Sequence, residues 1–242
     1  PCTAEPVWAF EATIALLSQR RHVFQVVFDG HQPEYPGDFT SVEQTVDEVT
    51  AYLKNYGIDR LDAAYGCSLG GACLTRLLAL DEISVGRAII DGGITPYQMP
   101  YLLRSLHLAV DVLSFKLAAN NRKVLETAFP PERFTLPGHD SVKEYDAIAA
   151  YLKTYSDRTI RNIFWSGNNY ALPETSAACS TKIAYWYGAD EKKDRKYNIR
   201  FIRRYFPQIQ LREFPNMAHA ELVMIHPEEF CRHAEEFLNL EE

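Results

Sequence analysis

The sequence predicts an α/β protein: a mostly parallel, doubly wound sheet with helices on both faces, interrupted by a helical cap insertion. Three observations predict it. Runs of high β-propensity alternate with helical patterns over residues 1–94 and again over 181–242, the alternation of a sheet whose parallel strands are joined by crossover helices. One of those runs enters the small-residue turn Gly66-Cys67-Ser68-Leu69-Gly70-Gly71, after which a helical pattern begins near Ala72. Residues 95–180 abandon the alternation and read as mostly helical. The division expected is therefore a core of residues 1–94 and 181–242, with residues 95–180 sitting on it as a cap.

The elements follow in order. Trp8, Ala9, Ala12, Leu16 and Leu17 fall on one helical face, and Gln19-Arg20-Arg21 closes that helix. Residues 22–28 read as a strand with Asp29-Gly30-His31 turning at its end. After a polar loop, Thr40 or Ser41 caps a helix through Val42, Val46, Val49 and Leu53, which Gly57 ends. Residues 61–65 make a short buried strand before the serine turn, and Cys73, Leu74, Leu77 and Leu78 recur at helical spacing after it. Residues 85–91 are the next strand. In the insertion, 101–119 is apolar around its whole circumference and 141–155 is conventionally amphipathic. Strand 182–188, a charged helix near 192–206, strand 209–214 and a last helix opened by Pro227 complete the chain. It opens Pro1-Cys2-Thr3 without an initiator methionine and passes almost at once into a helix, so early strands are expected to be missing from its N-terminal side.

Composition narrows the partners. With 242 residues, 47% of them hydrophobic, the chain has enough apolar side chain for one large core. A formal charge of −7 without a long Lys/Arg cluster disfavours nucleic acid and anionic membrane as partners and favours a small ligand. No apolar run is long enough for a membrane span, and the five cysteines have no metal-ligand spacing, so no metal is expected. Cys67 and Cys73 fall in core elements, which points to a reducing, cytoplasmic setting.

A serine at a sharp strand-to-helix bend is presented for chemistry. The bend forces strand and helix together, so residues two positions either side must be small, and Gly66 and Gly70 are. The following helix aims N–H groups and the positive end of its dipole at an anion forming beside Ser68. Cys67 is not the nucleophile on this pattern, because its flanking positions would be Tyr65 and Leu69. A serine hydroxyl needs a base, and the base needs an acid to fix its tautomer. Of the seven histidines, His219 is best placed, directly after a strand and before the last helix.

Three segments now carry a resemblance: the turn at Ser68, Tyr187-Gly188-Ala189-Asp190-Glu191, and Met217-Ala218-His219-Ala220-Glu221 followed by His226-Pro227-Glu228-Glu229-Phe230. In the order serine, acid, histidine, the chain resembles the α/β-hydrolase superfamily over nearly its whole length. By position the resemblance implies Glu191 as the acid and by residue type Asp190, with Asp91 a third candidate at the end of the strand after the serine's helix. It also implies an oxyanion hole made by the backbone N–H of Leu69 and a second donor from the N-terminal loop, Thr3 or in reserve Cys2. The family's usual His-Gly is absent there. Cys2, Trp165, Leu106 and Val110 are expected to contact substrate, the last two forming the apolar wall of the pocket together with Leu102, Ala109 and Leu113.

The resemblance implies a cofactor-free serine hydrolase acting on a small ester, thioester or related acyl compound. An acyltransferase, or a non-catalytic small-molecule receptor on the same fold, remains open at this point.

Overall fold

In the computed structural model, the described residues are 3, 6–35, 37–97, 99–176 and 180–239. Among them four strands, β1 (Arg60–Cys67), β2 (Ser84–Asp91), β3 (Lys182–Gly188) and β4 (Gln210–Phe214), form one parallel sheet in chain order. The register places Cys67 beside Asp91, Asp91 beside Trp186, and Gly188 beside Phe214, so the C-terminal ends of all four strands share one edge. Such an edge is where ligand-binding loops gather in open parallel sheets. Strands β2 and β3 read as near-continuous apolar runs because they are covered on both faces, with Ala88, Ile89, Ile90, Ile183, Ala184, Tyr185 and Trp186 all buried.

Crossover helices supply the cover. Helices α1 (Glu11–Ser18) and α11 (Pro227–Leu238) pack together, and α11 seats the Phe230 ring edge-on against Tyr65 of β1 and Trp186 of β3. Helices α2 (Val42–Asn55) and α3 (Leu69–Leu80) form the second pair. The expected cap of α2 is made by Ser41, whose hydroxyl accepts the N–H of Gln44, and the chain leaves the helix through Gly57 at φ +69°.

Among the described residues between β2 and β3 the regular elements are all helices: α4 (Tyr101–Asn120), α5 (Arg122–Ala128), α6 (Pro131–Phe134), α7 (Ser141–Leu152) and α8 (Asp157–Gly167). They are tied to the rest at several points. Val42 N–H donates to Ser166 Oγ (2.8 Å) and Asn162 Nδ2 to Phe39 O (2.8 Å), holding α8 against the start of α2. After β3 come a 3-10 turn (Ala189–Glu191), α9 (Lys196–Tyr205) and, past β4, the short α10 (Glu221–Ile225). Among the described residues no helix is long and apolar enough to cross a membrane.

Two sequence expectations are corrected. Residues 22–28 form no strand: among the described residues they pair with no ladder, and Phe24 and Val27 stand exposed. A strand is made by its partner more than by propensity. Only the turn after it forms as read, with His31 N–H on Phe28 O (3.1 Å) and Gly30 at φ +69°. Helix α3 starts at Leu69, three residues before the position expected, so Gly70 and Gly71 lie inside it. Close approach explains them: a Cβ on Gly71 would lie 2.5 Å from the Cα of Gly93.

Candidate active site

The site is assembled by three loops at the shared strand edge. The first is the turn between β1 and α3, where Ser68 holds φ 54°, ψ −114°. That conformation is costly for a residue with a Cβ, about 1–3 kcal/mol, and persists because its surroundings fix it. Ser68 N–H donates to Asp91 O (2.9 Å) and Ser68 O accepts from Ile94 N–H (3.3 Å), so the serine is pinned to the segment leaving β2. Gly66 is required here, since a Cβ on it would run into the carbonyl of Gly70. The N–H of Leu69 lies in the first turn of α3, where no intrahelical acceptor exists, and is free to meet an anion.

The second loop follows β3 and carries Glu191, 6% exposed. Its carboxylate is fully engaged: Oε1 accepts Gly188 N–H (3.1 Å), and Oε2 accepts both His219 Nδ1 (2.7 Å) and Arg195 Nε (2.7 Å). Burial opposes its ionisation, but the hydrogen bond and charge of His219 and the Arg195 guanidinium override that and hold the carboxyl down at about 2. Because a carboxylate only accepts, the proton of the His219 ring sits on Nδ1, and Nε2 is left as the basic nitrogen.

His219 comes from the third loop, between β4 and α10. Two residues in left-handed conformation bracket it, Asn216 at φ 58° and Ala220 at φ 61°. The loop is fastened by Glu221, whose carboxylate accepts Ala218 N–H (2.7 Å) and pairs with Arg133 of α6 (2.5 Å). The His219 ring packs on Gly92, where a Cβ would come within 2.6 Å of its Cε1 and Nδ1. Ser68 and His219 are therefore both seated on the four residues Asp91 to Ile94 at the end of β2.

The other acid candidates have different partners. Asp190 is exposed and bound to Arg133 (2.8 Å), and Arg133 also donates to Asn216 O (3.0 Å), so this arginine of α6 joins the acid loop to the histidine loop. Asp91 is 5% exposed and accepts the Tyr65 hydroxyl (2.7 Å); burial pushes its carboxyl up to about 6. Its backbone serves Ser68, while its side chain faces Tyr65.

Of the remaining sequence-predicted residues, Thr3 lies near α7, its carbonyl accepting the Tyr155 hydroxyl (3.3 Å), and Cys2 falls outside the described residues. Trp165 lines a groove of about 400 Å³ between α4 and α8, together with Tyr101, Leu108, Ala109, Val112 and Arg161. Of the expected wall, Ala109 lines the groove, whereas Leu106 and Val110 do not. They are 62% and 54% exposed, on the side of α4 away from that groove, because an apolar circumference leaves sequence periodicity unable to say which side turns inward. Cys67 is fully buried, and burial pushes the Cys73 thiol up to about 12.

Sequence reasoning missed Arg195, Glu221 and Arg133. The first had a signal: Glu191 and Arg195 stand four apart, the spacing of a helical ion pair. Its guanidinium Nη2 lies 3.2 Å from Nδ1 and 3.4 Å from Nε2 of His219, against the ring. Among the described residues no group of three or more metal-type side chains is close enough to hold an ion. Chemically, the arrangement offers a serine hydroxyl on a strained turn, a helix N-terminus beside it, and an imidazole oriented by a buried carboxylate.

Comparison with known proteins bears on the fold and the family. No curated protein matches the chain significantly. Many solved structures do. An alpha/beta hydrolase family protein from Desulfitobacterium hafniense superposes with a TM-score of 0.72 at 17% identity, covering 98% of this chain and 93% of that one. A structure from work on carboxylesterases of the thaumarchaeon Nitrososphaera gargenis gives 0.66 at 15%, over 98% and 87%. An N-acyl homoserine lactone degrading enzyme gives 0.67 at 17%, over 98% and 90%. At such identities the likeness establishes the fold. The model of the Alpha/beta hydrolase family matches residues 4–233, nearly the entire chain, and the protein therefore belongs to that family.

Proposed function

We propose that the protein is a serine hydrolase of small esters, thioesters or related acyl compounds. The observation that carries this reading is the 2.7 Å bond from His219 Nδ1 to the buried Glu191 carboxylate, at the strand edge that also presents Ser68. His219 Nε2 takes the proton of Ser68 as the hydroxyl oxygen attacks the acyl carbon, and Glu191 stabilises the imidazolium that results. The carbonyl oxygen, now an anion, is met by the N–H of Leu69 and, in this proposal, by that of Thr3. Collapse expels an alcohol or thiol that receives its proton from His219. Water, deprotonated by the same ring, then releases the acid and restores Ser68.

Two of the structural relatives are tied by name to carboxylesterases and to N-acyl homoserine lactone degradation, and an ester-type substrate fits those names. The helices of residues 95–180 act as a cap, with Trp165 and the groove beside it receiving the acyl part. A buried Cys67 and a half-buried Cys73 fit a reducing, cytoplasmic compartment.

A panel of p-nitrophenyl esters from acetate upward, with Ser68→Ala as background, tests the proposal. Turnover should rise with chain length while methylenes are still being buried, each contributing about 0.8 kcal/mol. No turnover above the Ser68→Ala background anywhere on the panel would contradict it.

A further inference from the structure

Helix α4 is apolar on two sides. Its inner side, with Phe115 and Ala119 buried and Val112 half-buried, packs on the core. On the opposite side stand Leu103, Leu106, Val110, Leu113 and Leu117, between 48% and 62% exposed, with Leu102 beside them at 80%. Their steps of three, four, three and four residues align them along one side of the helix, the spacing that a seam between two helices uses. A helix lying on its own core has a broader stripe, and α4 already has one on its other face.

Counting Leu102, the exposed leucines and valine present roughly 600 Å² of apolar surface per copy, and two copies would reach the ~1,200 Å² at which specific, stable interfaces begin when all of it is buried. This lies at the upper end of the apolar patch that a monomer ordinarily leaves to solvent. The seam is also self-complementary. Val110 stands at its centre, so an antiparallel pair sets Val110 on Val110, Leu103 on Leu117 and Leu106 on Leu113, the isologous contact of a two-fold dimer. Of the positions flanking the seam, Ala109 and Ser114 are small, Lys116 is paired with Asp157 (2.7 Å), and the exposed His107 stands on the Ser114 side. A lipid surface fits less well, because helices that lie on membranes carry a basic polar face, which α4 lacks, and the chain bears a charge of −7.

We infer that the protein forms a two-fold dimer through antiparallel pairing of α4 with α4 of a second copy. Sedimentation velocity of the purified chain over a wide concentration range should report the mass of two chains. Val110→Asp should weaken association by about 30-fold or more, the loss typical of a central interface residue. Leu113→Glu serves as an independent variant should the first fail to fold, folding being judged by circular dichroism.

Mild oxidation fixes the orientation. Val110→Cys should cross-link to itself, whereas Leu103→Cys alone should not and should cross-link to a Leu117→Cys chain. The wild-type chain provides the cysteine background. A wild-type monomer at every concentration, a monomer that instead binds vesicles through this face, a dimer indifferent to both charged variants, or self-linking of Leu103→Cys would each overturn the inference.

Discussion

Replacing Glu191 by Gln tests the proposed site at its most constrained point. The carboxylate accepts three hydrogen bonds, from Gly188 N–H, His219 Nδ1 and Arg195 Nε. An amide keeps the shape but turns one acceptor into a donor, and it no longer favours the His219 tautomer with its proton on Nδ1. Loss of that tautomer in a serine–histidine–carboxylate set costs about 10⁴ in turnover. The same change strands Arg195, whose side chain is 16% exposed and whose ion pair is this carboxylate. Breaking a buried pair from one side costs about 3–5 kcal/mol. The double variant Glu191→Gln, Arg195→Met removes the stranded charge and should recover most of the stability while recovering none of the activity. Ester hydrolysis and calorimetric unfolding of the wild type, both single variants, the double variant and Asp190→Asn separate the two effects. Asp190→Asn loses only an exposed pair with Arg133 and should stay within about tenfold of wild type. Glu191→Gln within tenfold of wild type, or Asp190→Asn more damaging than Glu191→Gln, would refute the assignment.

Burial pushes His31 down to about 4, while the unfolded chain protonates it near 6.5. The unfolded state thus binds the extra proton in that window, and stability should fall by about 3 kcal/mol as pH drops from 6.5 to 4. Stability curves of His31→Phe, which keeps the ring among Phe28, Phe39 and Tyr155, should lack that component. Gly71→Ala should cost about 3 kcal/mol or more in chemical denaturation, because the added Cβ meets the backbone of Gly93, which cannot swing away. Arg133→Met frees the acid and histidine loops from α6, and kcat should fall about 10- to 100-fold through misplacement of His219, with the effect read by pre-steady-state acylation.

What was legible in the sequence was what depends on local pattern. The turn around Ser68, the Ser41 cap, the alternation around β1, β2 and β3, and the all-helical stretch between β2 and β3 each follow from small-residue spacing or periodicity. Residues 22–28 failed because a strand needs a neighbour, which no local pattern reveals. Among the acids, both Asp190 and Glu191 stand after β3, and only the fold shows that one meets His219 and the other Arg133, a residue 57 positions away in the chain. The two apolar sides of α4 were indistinguishable by composition, so Leu106 and Val110 were assigned inward although the core took Phe115 and Ala119. Arg195 could have been found from its spacing to Glu191; Arg133 could not, since nothing near it in sequence points to its partners.

The central claim is that Ser68 is the nucleophile served by His219. A fluorophosphonate probe followed by mass mapping of the modified peptide tests it most directly. The account predicts a single adduct on Ser68, absent in Ser68→Ala and strongly slowed in His219→Gln, with both variants unfolding as cooperatively as the wild type. An adduct on Cys67 or another residue, or labelling that persists in Ser68→Ala, would contradict it.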